Sequence, residues 1–211
     1  MDTHLFLFGG SPPFTKQLGK KFTKFAQKDQ VKIAILFIER DGWQDYMPKY
    51  TSVLEANGTT NFVYLPLSPY PSPEIVRELE TSTGIIISGG DTELYREYIV
   101  ETTVGTTIKR LYDNGIPIAG FSAGALIAPE YCVVSPHDTL RKEQLFLKGL
   151  GLLEDYVLSV HYSTWNEEEN LLKAINTTGV PKGFGIDEES GIYINNGRVV
   201  EIEGHLVFMQ H

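Results

Sequence analysis

The sequence predicts an α/β fold: a three-layer sandwich around a mostly parallel sheet, with an antiparallel edge near the C-terminus. Three observations carry this. Short apolar runs alternate with amphipathic segments through the first two thirds of the chain, the pattern of parallel strands covered by helices on both faces. Several of these runs end in glycine-rich turns, Gly9-Gly10, Ser88-Gly89-Gly90 and Gly120-Phe121-Ser122-Ala123-Gly124. Beyond Val180 the texture changes to short apolar runs, two of them flanking Asn196-Gly197, a strong signal for a two-residue hairpin.

Each element has its own warrant. Leu5 to Phe8 reads as a first strand, and Phe14, Leu18, Phe22 and Phe25 recur at helical spacing with lysines between them. Val31 to Phe37 is apolar except for Lys32, as expected of a strand buried on both faces. One helix is expected over Trp43–Ala56, ending at Asn57-Gly58, and then a strand at Phe62–Leu65. Ser72-Pro73-Glu74 opens a helix with an N-cap and a first-turn proline. A strand at Ile85–Ile87, helices near Glu93–Val100 and Thr106–Asn114, and the run Ile116-Pro117-Ile118-Ala119 lead to the serine turn. Tyr156–Val160 reads as a further strand. Gly185-Ile186, Ile192–Ile194 and Val199–Ile202 read as an antiparallel edge appended to the main sheet.

The chain has 211 residues, 42% apolar and 21% charged, which suits one domain, 1–211, with a sizeable core. The net charge of −9 disfavours nucleic acid as a partner. No apolar stretch approaches the ~18 residues of a membrane span. The N-terminus has Asp2 where a signal peptide carries basic residues, so a cytoplasmic location and no membrane partner are expected. The single cysteine, Cys132, reads as a buried strand residue. The five histidines show no ligand spacing, so neither metal nor cofactor is expected.

The chemistry concentrates at Gly120-Phe121-Ser122-Ala123-Gly124-Ala125. A serine between glycines, after a strand and before a helix, sits on a strained turn with its hydroxyl exposed. Such a hydroxyl needs a base. His4 reads as structural, His137 lies in a polar loop, and His205 and His211 fall in the C-terminal strand and tail. His161 follows Tyr156–Val160 directly, at a strand end where ligands of α/β sheets bind.

These blocks, together with Gly149-Leu150-Gly151-Leu152-Leu153 and His161-Tyr162, resemble the dipeptidase E and cyanophycinase family of serine peptidases over roughly residues 80–165. Gly185-Ile186-Asp187-Glu188 resembles a further family block. The resemblance implies a fold related to class I glutamine amidotransferase domains, Ser122 as nucleophile and His161 as general base. It places the oxyanion donors on Ala123 and the Gly89-Gly90 turn, as a helix start behind Ser122 also would. An acid that orients the histidine is expected at Asp138, with Glu188 and Asp187 as competitors. Glu130 falls in a helix-to-strand connection, and Glu167, Glu168 and Glu169 read as the exposed first turn of a helix. Where aspartyl dipeptidases of this family carry a substrate-binding arginine, this chain has Val133, and Arg141 is the nearest arginine downstream.

The activity so implied is hydrolysis of small peptides, dipeptides among them, through an acyl-enzyme, by a monomer or homodimer. Two other readings stand beside it: a non-catalytic small-molecule-binding protein of the amidotransferase-like fold, and a serine esterase. A classical α/β-hydrolase is disfavoured, because only about forty residues separate Ser122 from His161.

Overall fold

The computed structural model describes residues 1–27 and 30–210; His211 lies outside them. In chain order the first half comprises β1 (His4–Phe8), α1 (Lys16–Ala26), β2 (Ile33–Phe37), α2 (Trp43–Tyr46), α3 (Pro48–Glu55), β3 (Phe62–Pro66), α4 (Pro73–Glu80) and β4 (Gly84–Ile87). Then come α5 (Thr92–Ile99), α6 (Thr103–Asp113), β5 (Ile118–Phe121), the one-turn α7 (Ala123–Leu126), β6 (Tyr131–Val134), β7 (Leu145–Lys148) and β8 (Tyr156–Val160). The chain closes with α8 (Glu168–Thr178), β9 (Lys182–Ile186), β10 (Gly191–Asn195), β11 (Arg198–Glu203) and β12 (Leu206–Gln210).

The main sheet has the order β11-β10-β1-β5-β4-β2-β3. Its five inner-to-edge strands from β1 to β3 are parallel, and β10 and β11 add antiparallel to β1. Strand alternation sorts the side chains to two faces. Leu5, Leu7, Ile85, Ile87 and Ile118 pack under α4 to α7. Phe6, Phe8, Ile33, Ile35, Phe37 and Phe121 pack under α1 and α3, with Leu18, Phe22 and Tyr50 on those helices and Phe14 just before α1 in the same cluster. The result is the three-layer α/β sandwich expected, with the antiparallel edge in place.

Two details differ from the sequence-based expectation, and a third adds to it. The helix over 43–56 is two helices, because Pro48 has no N–H to continue the first and opens the second as its N1 residue. The Gly185-Ile186 strand does not join the main sheet: β9 pairs parallel with β8 and antiparallel with β12 in a separate three-stranded sheet. Glycine makes this possible, since a Cβ at Gly185 would lie 2.2 Å from the Tyr162 ring. Finally, β6 and β7 pair with each other as a separate hairpin.

Candidate active site

Ser122 lies between β5 and α7 with φ 47° and ψ −107°, a conformation a serine holds only when its surroundings enforce it. They do so through close backbone packing. A Cβ at Gly120 would lie 2.4 Å from the Gly124 carbonyl oxygen, and one at Gly124 would lie 2.2 Å from that of Ile87. The Ser122 N–H donates to the Phe8 carbonyl at 2.9 Å, which fixes the elbow to the end of β1.

His161 follows β8 in the left-handed region, φ 51°. Its N–H donates to the Gly9 carbonyl at 2.8 Å, and the turn it opens is closed by the Trp165 N–H on the His161 carbonyl. The imidazole Nε2 lies 3.0 Å from Ser122 Oγ. Its Nδ1 lies 2.8 Å from Glu188 Oε1. A carboxylate only accepts, so Nδ1 carries the proton and Nε2 is left to accept from the serine hydroxyl. The Trp165 ring lies against the imidazole, centroids 4.4 Å apart, and restricts its rotation.

The acid on His161 is thus Glu188, and the expectation for Asp138 is corrected. Ser135 to Asp138 forms a tight turn, with Ser135 Oγ accepting from the His137 N–H. That turn aims Asp138 at the start of α5, where its Oδ2 accepts from the Thr92 hydroxyl at 2.6 Å. Burial pushes the Asp138 carboxyl above its ordinary range despite this bond. Glu188 behaves oppositely. Burial raises it, but the hydrogen bonds from His161 and Thr164 outweigh that and hold it below its ordinary value.

The reason for this pairing is topological. In the parallel pair β8–β9, Val160 stands opposite Ile186. The residues that follow, His161 on one strand and Asp187-Glu188 on the other, therefore emerge side by side. Asp187 accepts from both the N–H and the hydroxyl of Ser163. A sequence reading of residues 156–186 as one strand–helix–strand unit would have found this neighbourhood.

The Gly89-Gly90 turn, where oxyanion donors are expected, has one of its two N–H groups already occupied. The Gly89 N–H is taken by the Tyr50 hydroxyl at 2.9 Å, and Gly89 instead packs on Ser122, where a Cβ would lie 3.4 Å from the serine Cβ. Among the described residues the N–H groups of Gly90 and Ala123 make no intrachain hydrogen bond. Gly90 sits at φ 155°, a backbone that side-chain-bearing residues rarely adopt. Since α7 is a single turn, Ala123 offers an individual N–H rather than a helix dipole. Buried Tyr50 and Tyr95 hold this turn from behind, Tyr95 through Ser88 Oγ at 2.5 Å and the Ile38 N–H at 3.1 Å.

The remaining candidates fall elsewhere. His4 bonds Tyr193 and stacks on Phe25, a structural role as expected. His137 touches Trp165, not Ser122. Cys132 is fully buried, its thiol pushed up to about 12 by burial. Val133 is buried against Val157 and Tyr162, and Arg141 is exposed. Arg40, just beyond β2, holds its guanidinium 5.1 Å from the Tyr46 ring and lines a narrow crevice with Gly89. Glu168 and Glu169 are exposed as expected, but Glu167 is buried, 2% exposed. It accepts from Ser135 Oγ, Ser159 Oγ and Asn170 Nδ2. No group of three or more potential ligands arranged for a metal ion occurs among the described residues, and none of the described helices is long and apolar enough to cross a membrane.

Comparison with known proteins places the chain in a family. The model of Peptidase family S51 matches residues 5–202. A cyanophycinase of Synechococcus elongatus is 27% identical over 121 residues, which is 56% of this chain and 38% of that protein. A cyanophycinase of Nostoc sp. is 26% identical over 123 residues, 56% of this chain and 41% of that protein. The chain thus spans about two fifths of the length of the curated relatives it matches. Among solved structures, a peptidase from an acI-B1 Actinobacterium superposes with a TM-score of 0.76 at 18% identity, covering 98% of this chain and 90% of that one. With the family model matched over residues 5–202 of the 211, the chain belongs to peptidase family S51.

Proposed function

We propose that this peptidase hydrolyses small peptides with Ser122 as nucleophile, His161 as general base and Glu188 as the acid that orients it. One observation carries the reading: the unbroken line of hydrogen bonds from Ser122 Oγ through both imidazole nitrogens to Glu188. In this reading His161 takes the serine proton as Ser122 Oγ attacks the scissile carbonyl. The developing imidazolium is stabilised by Glu188, and the oxyanion by the N–H groups of Gly90 and Ala123. His161 then returns the proton to the departing amine, and water repeats the sequence on the acyl-enzyme. A strained serine turn supports catalysis over binding alone, because a binding pocket has no use for the strain.

The test is labelling by a fluorophosphonate probe, followed by a panel of di- and tripeptides. Wild type should label and Ser122→Ala should not. Equal labelling of the two would remove Ser122 from the role, and a labelled protein inactive on every peptide but active on esters would favour the esterase.

A further inference from the structure

His205 lies outside the hydrogen-bonded line and is largely exposed, yet it is bonded into both of the consecutive acids beside His161. Its Nδ1 lies 2.6 Å from Asp187 Oδ2. Asp187 in turn receives the Ser163 N–H at 2.6 Å and the Ser163 hydroxyl at 2.8 Å. Ser163 is two residues past His161, inside the turn that presents the imidazole. On the other side, the His205 N–H donates to Ser190 Oγ at 2.9 Å. That hydroxyl donates onward to the Glu188 carbonyl at 3.0 Å. The His205 carbonyl accepts from the Asp187 N–H at 3.4 Å, which closes the ring.

Gly204 sets this up. Its φ of 91° turns the chain between β11 and β12, and a Cβ there would lie 2.3 Å from Ser190 Oγ. The turn between the last two strands therefore reaches back over β9 and seats one residue on the carboxylate of Asp187 and on the backbone support of Glu188. A surface histidine needs none of this to pack. The Asp187 carboxylate shows the effect: burial raises it, and the Ser163 bonds with His205 outweigh burial and hold it below its ordinary value.

We infer that His205 is a positioning residue for the Ser122–His161–Glu188 line, acting through Asp187 and Ser163 on the histidine turn and through Ser190 on the Glu188 backbone. The inference rests on the function proposed above. The side chain tethers the base and the backbone tethers its acid, so loss of the side chain should loosen His161 relative to Ser122 without unfolding the chain. Misplacement of a catalytic group by about 1 Å can cost ~100-fold in rate. An exposed tether that leaves the backbone link intact should cost less, about 3–10-fold.

The experiment is the second-order rate of fluorophosphonate labelling of the full chain, which needs no known substrate. It is measured on wild type, His205→Ala, His205→Asn, Asp187→Asn and the double variant His205→Ala/Asp187→Asn, with a thermal melt of each. His205→Ala should label about 3–10-fold more slowly at an unchanged melting temperature. His205→Asn, whose amide nitrogen replaces Nδ1, should recover the wild-type rate. The double variant should be no slower than Asp187→Asn alone, since both act on one tether. Labelling of His205→Ala at the wild-type rate would overturn the inference and leave the proposed function standing. A rate loss that tracks a lowered melting temperature and is not recovered by asparagine would overturn it too, making His205 a stability residue. A wild type that does not label would defeat the reading of Ser122 and this inference with it.

Discussion

Glu188 Oε1 lies 2.8 Å from His161 Nδ1, while the Asp138 carboxylate is spent on the Thr92 hydroxyl. Two acids near one histidine are thereby given different work, and their exchange for the neutral amide separates them. Glu188→Gln should slow fluorophosphonate labelling by about 100- to 10,000-fold, the loss expected when the orienting acid of such a triad becomes an amide. Asp138→Asn should stay within about threefold of wild type, a change of under ~1 kcal/mol in barrier. The reverse ranking would return Asp138 to the relay.

Glu188 and its neighbour Asp187 on one side, and Asp138 on the other, give opposite pH dependences of stability. Glu188 and Asp187 titrate below their ordinary values, so their contribution is present above those values and is lost as pH falls through the lowered ones. Asp138 titrates above its ordinary value of 3.8, so its ionisation in the folded state costs stability as pH rises. Urea melts from pH 3 to pH 8 should show Glu188→Gln losing less stability on acidification than wild type. Asp138→Asn should be more stable than wild type at pH 7, with the gain vanishing below pH 3.8.

At the elbow, Gly120→Ala and Gly124→Ala each drive a methyl into backbone, at 2.4 and 2.2 Å. Neither carbonyl can retreat without moving β4 or α7. Each should cost on the order of 1–3 kcal/mol, or about 2–12 °C in melting temperature for a chain of this size. Gly197→Ala is the control for glycine loss without a clash, because nothing lies within 4 Å of its Cβ position, although its φ of 73° still strains alanine. A melt of either elbow variant no lower than that control would contradict the packing argument.

Glu167 ties the Ser135 turn to Ser159, two residues before His161. Glu167→Ala strands two buried hydroxyls and should cost on the order of 2–6 kcal/mol, at about 1–3 kcal/mol for each group left unpaired. Glu167→Gln keeps one acceptor and should cost less. Urea midpoints measure both, and an alanine variant as stable as wild type would show that water replaces the carboxylate.

Arginine placement bears on substrate choice. Arg40 stands beside the Gly89-Gly90 turn, just beyond β2, and Val133 is buried in the core. If acidic first residues are preferred, a dipeptide panel should show Arg40→Ala losing that preference and Arg141→Ala keeping it. Loss in Arg141→Ala alone would give the task to the later arginine.

Much of this was legible in the sequence. Runs such as Ile33–Phe37 and Gly84–Ile87 can only be strands buried on both faces, and Ser122 and His161 stand where strand ends put them. What escaped was neighbourhood across the chain. Asp138 is nearer to Ser122 in sequence than Glu188 is, but distance along the chain says nothing about which strand lies beside β8. The β8–β9 register decides that. Glu167 escaped for a related reason: a glutamate at a helix start is usually solvated, and only the arrival of Ser135 and Ser159 from other elements makes a buried one tenable. The Gly89 N–H was lost to a partner, Tyr50, whose reach no local pattern displays.

Ser122 hangs by its N–H from the carbonyl of Phe8, and His161 by its N–H from the carbonyl of Gly9. The two residues arrive from distant stretches of chain, yet both are referenced to neighbouring links at the end of a single central strand. Errors of placement in α5, α6 or the outer strands do not accumulate between them, as they would if each were mounted on its own scaffold. The gap that matters is measured from one ruler. The loops beyond β2 and β3 can be recut for a different substrate while the distance from hydroxyl to imidazole stays calibrated.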